Sequence, residues 1–324
     1  MFKFRPILKS VLWGGNRIAP FKHLDTDQAH IGESWEISGI KGHESIVACG
    51  EDTGLTLPQL ITKYQAALMG AEAYDRFGNE FPLLVKFIDA ASDLSVQVHP
   101  NDDLAARRHG CQGKTEMWYV IDAEPGALIH AGFSQRIDAE EYGSMTAQGT
   151  IMNAVQHHDS HAGDAFMLPP GTIHSIGAGN LLVEIQQSSD ITYRVYDYGR
   201  RDAMGNLRPL HTDLAREALD FEPHSGYKLA YDRTAQSALI ASCRHFVVSK
   251  MAINGSHTCD VSQITSFVIM ICIDGEASLA DDSHLSSHPC HPTALHRGDT
   301  VLIPACASSI SIKGHATFIT AHLP

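Results

Sequence analysis

Three short segments of this chain carry residue types that together could hold a divalent metal ion. They are Gln97-Val98-His99-Pro100, Lys114-Thr115-Glu116 and Pro169-Pro170-Gly171-Thr172-Ile173-His174. Gln97 and His99 stand two apart, so on a strand both side chains leave the same face. Glu116 and His174 fall in two further strand-like stretches. Two imidazoles, one carboxylate and one amide oxygen make a shell that suits zinc best among the common divalent ions. Three or four protein ligands leave a coordination position free, which points to catalysis rather than to a structural metal. Gln97 is the weakest donor of the four, because an amide oxygen is a poor zinc ligand and can equally serve by orienting another ligand.

Short strands must position these groups. Leu83 to Ile88 reads as an apolar strand interrupted by Lys86, which must either face solvent at a sheet edge or sit inside with an anionic partner. Strands are also expected at residues 94–99, 116–121, 151–155, 165–168, 181–187 and 191–198. Helices are expected over 57–69, from Pro100 onward with Asn101 and Asp102 in the capping zone, over 134–147, and over 212–219 with Thr212 as the cap. From residue 227 the pattern is short strands with serine-rich turns and almost no helix. One internal echo organises the whole. His161-Ala162-Gly163-Asp164 followed by Leu168-Pro169 matches His296-Arg297-Gly298-Asp299 followed by Ile303-Pro304, an offset of 135 (296 minus 161). A Gly-Asp turn feeding a strand that ends at proline marks one edge of a small jelly-roll barrel. The expected fold is therefore mainly β, two tandem jelly-roll barrels with a few short helices. The divisions are 1–220, which carries the site and the helical insertions, and 221–324, a β domain. Ser309 stands where the echo would place the equivalent of His174, so only the first barrel should hold metal, one ion per chain.

Bulk properties exclude several function classes. The chain has 324 residues and a net charge of −13, from 24 basic and 37 acidic residues. That charge disfavours nucleic-acid binding and leaves an anionic substrate to be captured by a local basic cluster. No apolar run approaches the roughly 18 residues that span a bilayer, and Met1-Phe2-Lys3-Phe4-Arg5-Pro6 lacks a signal-peptide core. Seven scattered cysteines without a Cys-x-x-Cys pair read as free thiols in a reducing cytoplasm. Twenty histidines are too many for histidine alone to mark a site. Asp190 and Arg194, four apart, read either as a surface ion pair worth little or as part of the site.

Taken in order, Glu33-Ser34-Trp35-Glu36, Lys86, Gln97-Val98-His99-Pro100-Asn101-Asp102, Lys114-Thr115-Glu116-Met117-Trp118-Tyr119, Pro170-Gly171-Thr172-x-His174 and Ser189-Asp190-x-x-x-Arg194 resemble the type I mannose-6-phosphate isomerases in their short bacterial form. The resemblance runs through residues 5–220 by specific motifs and is mainly architectural beyond. It implies a cupin fold, one zinc ion and interconversion of mannose 6-phosphate with fructose 6-phosphate. It also implies metal ligands at Gln97, His99, Glu116 and His174, an active-site arginine at Arg194, substrate lysines at Lys86 and Lys114, and an acidic partner at Asp190. The chain departs from the family's longer members in having Lys114-Thr115-Glu116 where they have Lys-Pro-Glu, and in lacking room for their large helical insertion.

The implied chemistry removes the weakly acidic proton at C2 of an aldose phosphate and returns one at C1 through a cis-enediol. That demands a base and stabilisation of a developing oxyanion. A metal Lewis acid supplies the second. Lys114, near the implied metal, is a candidate for proton transfer, with Asp190 for ring opening or for orienting Arg194, which would meet the enediolate or the phosphate. The residues leave the identity of the isomerisation base open. Rival readings are a cupin isomerase for glucose 6-phosphate, a sugar-phosphate sensor without chemistry, and a metal-dependent cupin oxygenase. Against the sensor, Lys114, Asp190 and Arg194 are all present. Against the oxygenase stand Gln97 and the surrounding lysines.

Overall fold

The computed structural model describes residues 1–202, 204–283, 285 and 293–324. Among them the chain is mainly β with a few short helices, as expected, and its strands form three antiparallel sheets. A six-stranded sheet runs in the order Ala165–Leu168, Glu116–Ala123, Asn180–Gln187, Leu83–Ala90, Ile7–Gly15, Ile31–Ile37. A five-stranded sheet runs Tyr193–Tyr196, Val96–Val98, His174–Ile176, Leu128–Phe133, Val155–Asp159. Between these two lies an apolar layer that includes Trp13, Ile88, Trp118, Ile129, Phe166 and Leu182. On the outer side of the five-stranded sheet the helices Ala139–Gln148 and Thr212–Ala218 cover Val96, Val98, Phe133 and Tyr193.

The third sheet has eight strands and is built largely from the end of the chain. Its long strands Val247–Asp260, Val268–Asp281 and Ser309–His322 enclose their own core around Met270, Leu279, Ile312 and Phe318. The first residues of the chain join it. Strand Phe2–Arg5 pairs with Thr300–Ile303 on one side and with Ile46–Val47 on the other. A large apolar cluster running from Phe2 and Phe21 through Leu83 and Val183 to Phe246, Phe267 and Ile319 joins this sheet to the six-stranded one.

The echoed segments are alike in three dimensions. Gly163 and Gly298 both adopt positive φ, +82° and +89°, which favours glycine. Asp164 and Asp299 each accept the N–H of the histidine three residues earlier, at 2.8 and 2.9 Å. Each glycine and aspartate then bonds a neighbouring strand residue, Val120 in the first case and Cys272 in the second. The following strands, Ala165–Leu168 and Thr300–Ile303, each pair antiparallel with the strand that carries that residue, Glu116–Ala123 and Val268–Asp281, but the first is a sheet edge while the second is also paired with Phe2–Arg5.

Local expectations fared unevenly. Asn101 caps the helix Asp102–His109 by accepting from Leu104 N–H at 2.9 Å, and Asp138 with Glu141 forms a capping box on Ala139–Gln148. The helix expected over 57–69 is broken into Leu57–Tyr64 and Ala66–Met69, because Gln65 takes a positive φ of +47°. Thr212 is the first helical residue rather than the cap; His211 precedes it without a capping side chain. The thiol reading also needs correction. Cys111, Cys243, Cys259, Cys272 and Cys306 are free, but Cys49 is disulfide-bonded, and Cys290 lies outside the described residues.

Candidate active site

Strand register assembles the site. Gln97 is the cross-strand partner of His174 on one side and of Arg194 on the other, so three neighbouring strands bring them into one row. His99 follows the strand Val96–Val98 directly, and Glu116 opens the facing strand Glu116–Ala123 of the six-stranded sheet. His99, Glu116 and His174 converge, with one ligand atom from each lying within 4.8 Å of the others, and all three residues are buried.

The donor set fits a cation. His99 Nδ1 faces Ile191 O at 2.8 Å and His174 Nδ1 faces Thr172 O at 2.8 Å. Carbonyl oxygens only accept, so both Nδ1 atoms carry protons and both Nε2 atoms are unprotonated acceptors. Those two Nε2 atoms lie 3.1 Å apart, and Glu116 carboxylate oxygens lie 3.4 Å from His99 Nε2 and 3.2 Å from His174 Nε2. Neither Glu116 oxygen is met by a donor in good hydrogen-bond geometry although both are buried; the nearest cation is Lys114 Nζ, 2.7 Å away. The Lys114 ammonium lies at one side of this cluster, but it does not lie between the two imidazoles and the carboxylate; a cation held by all three would balance the buried acceptors more fully. Gln97 approaches His174 Nε2 at 3.3 Å through its amide nitrogen; rotating the amide by half a turn brings the oxygen to the same place. Burial first, then Lys114, push the His99 imidazole down to about 4, with Glu116 opposing. Burial likewise lowers His174. Burial would raise Glu116, but Lys114, His99 and His174 outweigh it and hold the carboxyl well below the usual range. The two neutral imidazoles and the carboxylate are thus in the forms that bind a metal.

A second row lies beside the first. Trp35, Lys86, Glu184 and Trp118 are successive cross-strand partners in the six-stranded sheet. Lys86 is only 4% exposed and lies on a central strand, which settles its two sequence readings in favour of the interior. Its Nζ is 3.1 Å from Glu184 and lies over the Trp35 ring. Glu184 also accepts from Trp118 Nε1 at 2.9 Å. Lys114 Nζ completes the link between rows, 2.7 Å from Glu116, 3.2 Å from His99 Nε2 and 3.9 Å from Glu184.

A cleft of about 180 Å³ opens over these groups; its walls include Lys86, Gln97, Lys114, Glu184, Asp190 and Arg194. Asp190 is exposed at its rim, and no ion pair joins it to Arg194 among the described residues. Arg194 instead donates to Ser95 Oγ at 3.3 Å and Pro209 O at 3.0 Å. Burial lowers the Arg194 pKa, Arg208 and Arg200 lower it further, and Asp197 opposes them. Five of the eight residues singled out from the sequence, Lys86, Gln97, Lys114, Asp190 and Arg194, line this cleft, and His99, Glu116 and His174 are buried next to its Gln97 and Lys114. Sequence reading missed Glu184, Ser95 and Arg208. For Glu184 a signal existed, a carboxylate inside the apolar run Leu181 to Ile185.

Chemically, the cleft pairs a cation-binding shell with an ammonium at its edge and guanidinium groups at its mouth. Such a set can polarise oxygen atoms of a substrate, exchange a proton with an adjacent carbon and hold a strongly anionic group.

Comparison with known proteins agrees with this arrangement. Residues 1–129 match the phosphomannose isomerase type I catalytic domain, and residues 236–323 match the mannose-6-phosphate isomerase cupin domain. The chain is 34% identical to mannose-6-phosphate isomerase ManA of Bacillus subtilis, over 99% of this chain and 98% of that protein. It is 33% identical to the mannose-6-phosphate isomerase of Streptococcus mutans, over 96% and 94%. The crystal structure of the Bacillus subtilis mannose 6-phosphate isomerase superposes with a TM-score of 0.87 at 30% identity, covering 99% of each chain. A putative mannosephosphate isomerase from Archaeoglobus fulgidus shares the fold, with a TM-score of 0.80 at 23% identity over 99% of this chain and 97% of that one.

Proposed function

The chain belongs to the type I phosphomannose isomerase family and is a mannose-6-phosphate isomerase with a cupin fold; on that premise we propose that it interconverts D-mannose 6-phosphate and D-fructose 6-phosphate through a cis-enediol, with one zinc ion per chain. The observation that carries the reading is the buried convergence of His99 Nε2, His174 Nε2 and the Glu116 carboxylate, with Lys114 Nζ 2.7 Å from that carboxylate. His99, Glu116 and His174, with the oxygen of Gln97 as fourth donor, would hold the ion. Bound there, zinc would supply Lewis acidity to hydroxyl and carbonyl oxygens of the open-chain sugar.

The protein's own groups do the rest. Lys114 is the candidate to move a proton at C1 or C2, being buried beside the metal shell with its ammonium aimed into the cleft. Lys86 contributes positive charge from the wall, held charged by Glu184. Arg194 donates to the phosphate or the enediolate through its planar fork. Burial first, then Arg208, lowers the Arg194 pKa; Arg208, itself held by Asp197, also lines the cleft, so a phosphate dianion bound there would be met by both guanidinium groups. Asp190, exposed at the rim without an ion pair to Arg194, would accept the anomeric hydroxyl proton and return it to the ring oxygen as the bond between C1 and that oxygen breaks. In this reading residues 1–220 are the catalytic part and 221–324 a cupin-like part without metal. Ser309 there accepts no histidine's role and instead donates to Asp282 at 3.0 Å.

The substrate is a small sugar phosphate, with neither nucleic acid nor membrane as partner. No helix among the described residues is long and apolar enough to cross a membrane; the five free thiols support a cytoplasmic location, and the bonded Cys49 counts against it. A coupled assay run in parallel with mannose 6-phosphate and glucose 6-phosphate, with and without chelator, tests the reading. Turnover of mannose 6-phosphate that chelation abolishes and zinc restores is expected. Turnover of glucose 6-phosphate alone, or chelator-resistant turnover, would overturn it.

A further inference from the structure

Lys114 sits in a segment that belongs to neither helix nor strand, yet every backbone N–H from 113 to 115 is tied down. Gly113 N donates to Asp102 Oδ1 at 2.9 Å, Lys114 N to Pro100 O at 3.1 Å, and Thr115 N to Gln187 Oε1 at 2.8 Å. The two side-chain acceptors are themselves joined, since Gln187 Nε2 donates to Asp102 Oδ1 at 2.9 Å. Gly113 lies flat on the 100–102 turn; a Cβ there would come within 2.6 Å of the Asn101 carbonyl carbon and of Asp102 N. Asp102 thus gathers the glycine amide and the glutamine amide on one oxygen. Its other oxygen accepts from Arg244 Nη2 at 2.7 Å. Arg244 stands in the turn between strands Ser237–Ser242 and Val247–Asp260 of the eight-stranded sheet.

We propose that Asp102 and Gln187 are positioning residues that set the Lys114 ammonium against its substrate, and that Arg244 extends this control from the C-terminal sheet. The proposal rests on the reading of Lys114 as a proton-transfer group. Neither Asp102 nor Gln187 lines the cleft, so neither acts on the substrate directly. They act through the backbone on either side of Lys114. Gln187 is 2% exposed, so removing it strands the Thr115 N–H in the interior, while Asp102 is half-buried. The Asp102 carboxyl is raised by burial, but Gln187, the Gly113 amide, His245 and Arg244 together pull it below the usual range, which keeps it an acceptor at working pH. The Arg244 contact is largely exposed, so its share is the smallest.

The test is kinetic and uses the full metal-loaded chain. Asp102→Ala and Gln187→Met should each lower kcat by roughly 10- to 100-fold, the loss expected for a displacement of about 1 Å at the reacting group. KM for mannose 6-phosphate and metal content should stay within about twofold, and Asp102→Asn, which keeps an acceptor for Gly113, should recover much of the loss. Arg244→Ala should cost no more than about fivefold. The decisive arm combines Asp102→Ala with Lys114→Met. If Asp102 acts through Lys114, its further effect in that background should shrink to less than about twofold. An undiminished loss in the Lys114→Met background would overturn the positioning role while leaving Lys114 in place. Wild-type turnover by Lys114→Met alone would overturn both. Should Asp102→Ala fail to fold, Gln187→Met, close to isosteric, carries the same double-mutant comparison.

Discussion

Replacing Glu184 with glutamine should destabilise the protein by about 3 kcal/mol, because it leaves Lys86 charged and buried without its partner. The two side chains are 3.1 Å apart and each is only 4–5% exposed. Burial alone would lower the Lys86 pKa, but Glu184, then Glu33 and Asp190, raise it above its ordinary value. Burial would raise Glu184, but Lys114 and Lys86 hold it below its ordinary value. The raised lysine contributes stability that is fully present below its unfolded pKa of about 10.4 and fades only as pH rises past its folded pKa. The lowered glutamate contributes stability present above about 4.3 and lost in acid. At pH 7 both are fully expressed. Breaking a buried pair by removing one member typically costs about 3–5 kcal/mol. The more distant Glu33 and Asp190 keep part of the field on Lys86, which places the loss at the lower end, roughly a hundredfold in the folding equilibrium. The new amide oxygen can still accept from Trp118 Nε1, so the hydrogen bond at 2.9 Å is not the source of the loss. Urea unfolding at pH 7 of the metal-loaded protein measures it. Lys86→Met combined with Glu184→Gln should regain about 2 kcal/mol, since two neutral groups bury without penalty. A single variant within about 0.5 kcal/mol of wild type, or a double variant less stable than the single, would refute the argument.

His174→Ala should lower metal content and turnover together while far-UV circular dichroism stays unchanged, because the surrounding core is apolar; unfolding would instead mean a structural metal. Arg194→Lys keeps charge but loses the fork, so turnover should fall by more than about tenfold; a rise confined to KM would assign Arg194 to the phosphate, and an unaltered enzyme would remove it from the site. The third concerns stability in acid. His130 is buried and its Nδ1 lies 2.7 Å from His157 Nδ1; burial, then His157, push its pKa down to about 4, with Asp93 opposing. The unfolded chain, near 6.5, takes up the proton first, so stability is complete above that pH and drains by at most roughly 3 kcal/mol as pH falls toward 4. His130→Gln should flatten the dependence of Tm on pH across that window, and parallel curves would discount the histidine pair.

How much of this could be read from the chain alone follows from the range of each interaction. Gln97 and His99 announce themselves because a strand's period of two puts neighbours-but-one on the same side. The repeat of His161 to Pro169 at His296 to Pro304 was legible as a shared turn, and with it the contrast between His174 and Ser309. Lys86 remained open, since its surroundings depend on whether Leu83–Ala90 is a central or an edge strand, and that is decided by partners near residues 35 and 184. Glu184 escaped for the same reason: its meaning lies in the register Lys86, Glu184, Trp118. Asp102 was legible as a helix-start residue but not as the acceptor for Gly113, since that contact forms across a loop. The Cys49 disulfide had no spacing signal at all.

The pairing of Phe2–Arg5 with Thr300–Ile303 has a consequence in time. Strand Phe2–Arg5 leaves the ribosome roughly 300 residues ahead of this partner. At about 5–20 residues per second, the interval between them is roughly 15 to 60 s. Throughout it, Phe2, buried in the finished protein and registered with Leu302, has no sheet edge to occupy on the C-terminal side. The chain's beginning is thus a late-closing latch, and nascent chains stalled before residue 300 should present it to chaperones and proteases that the completed protein escapes.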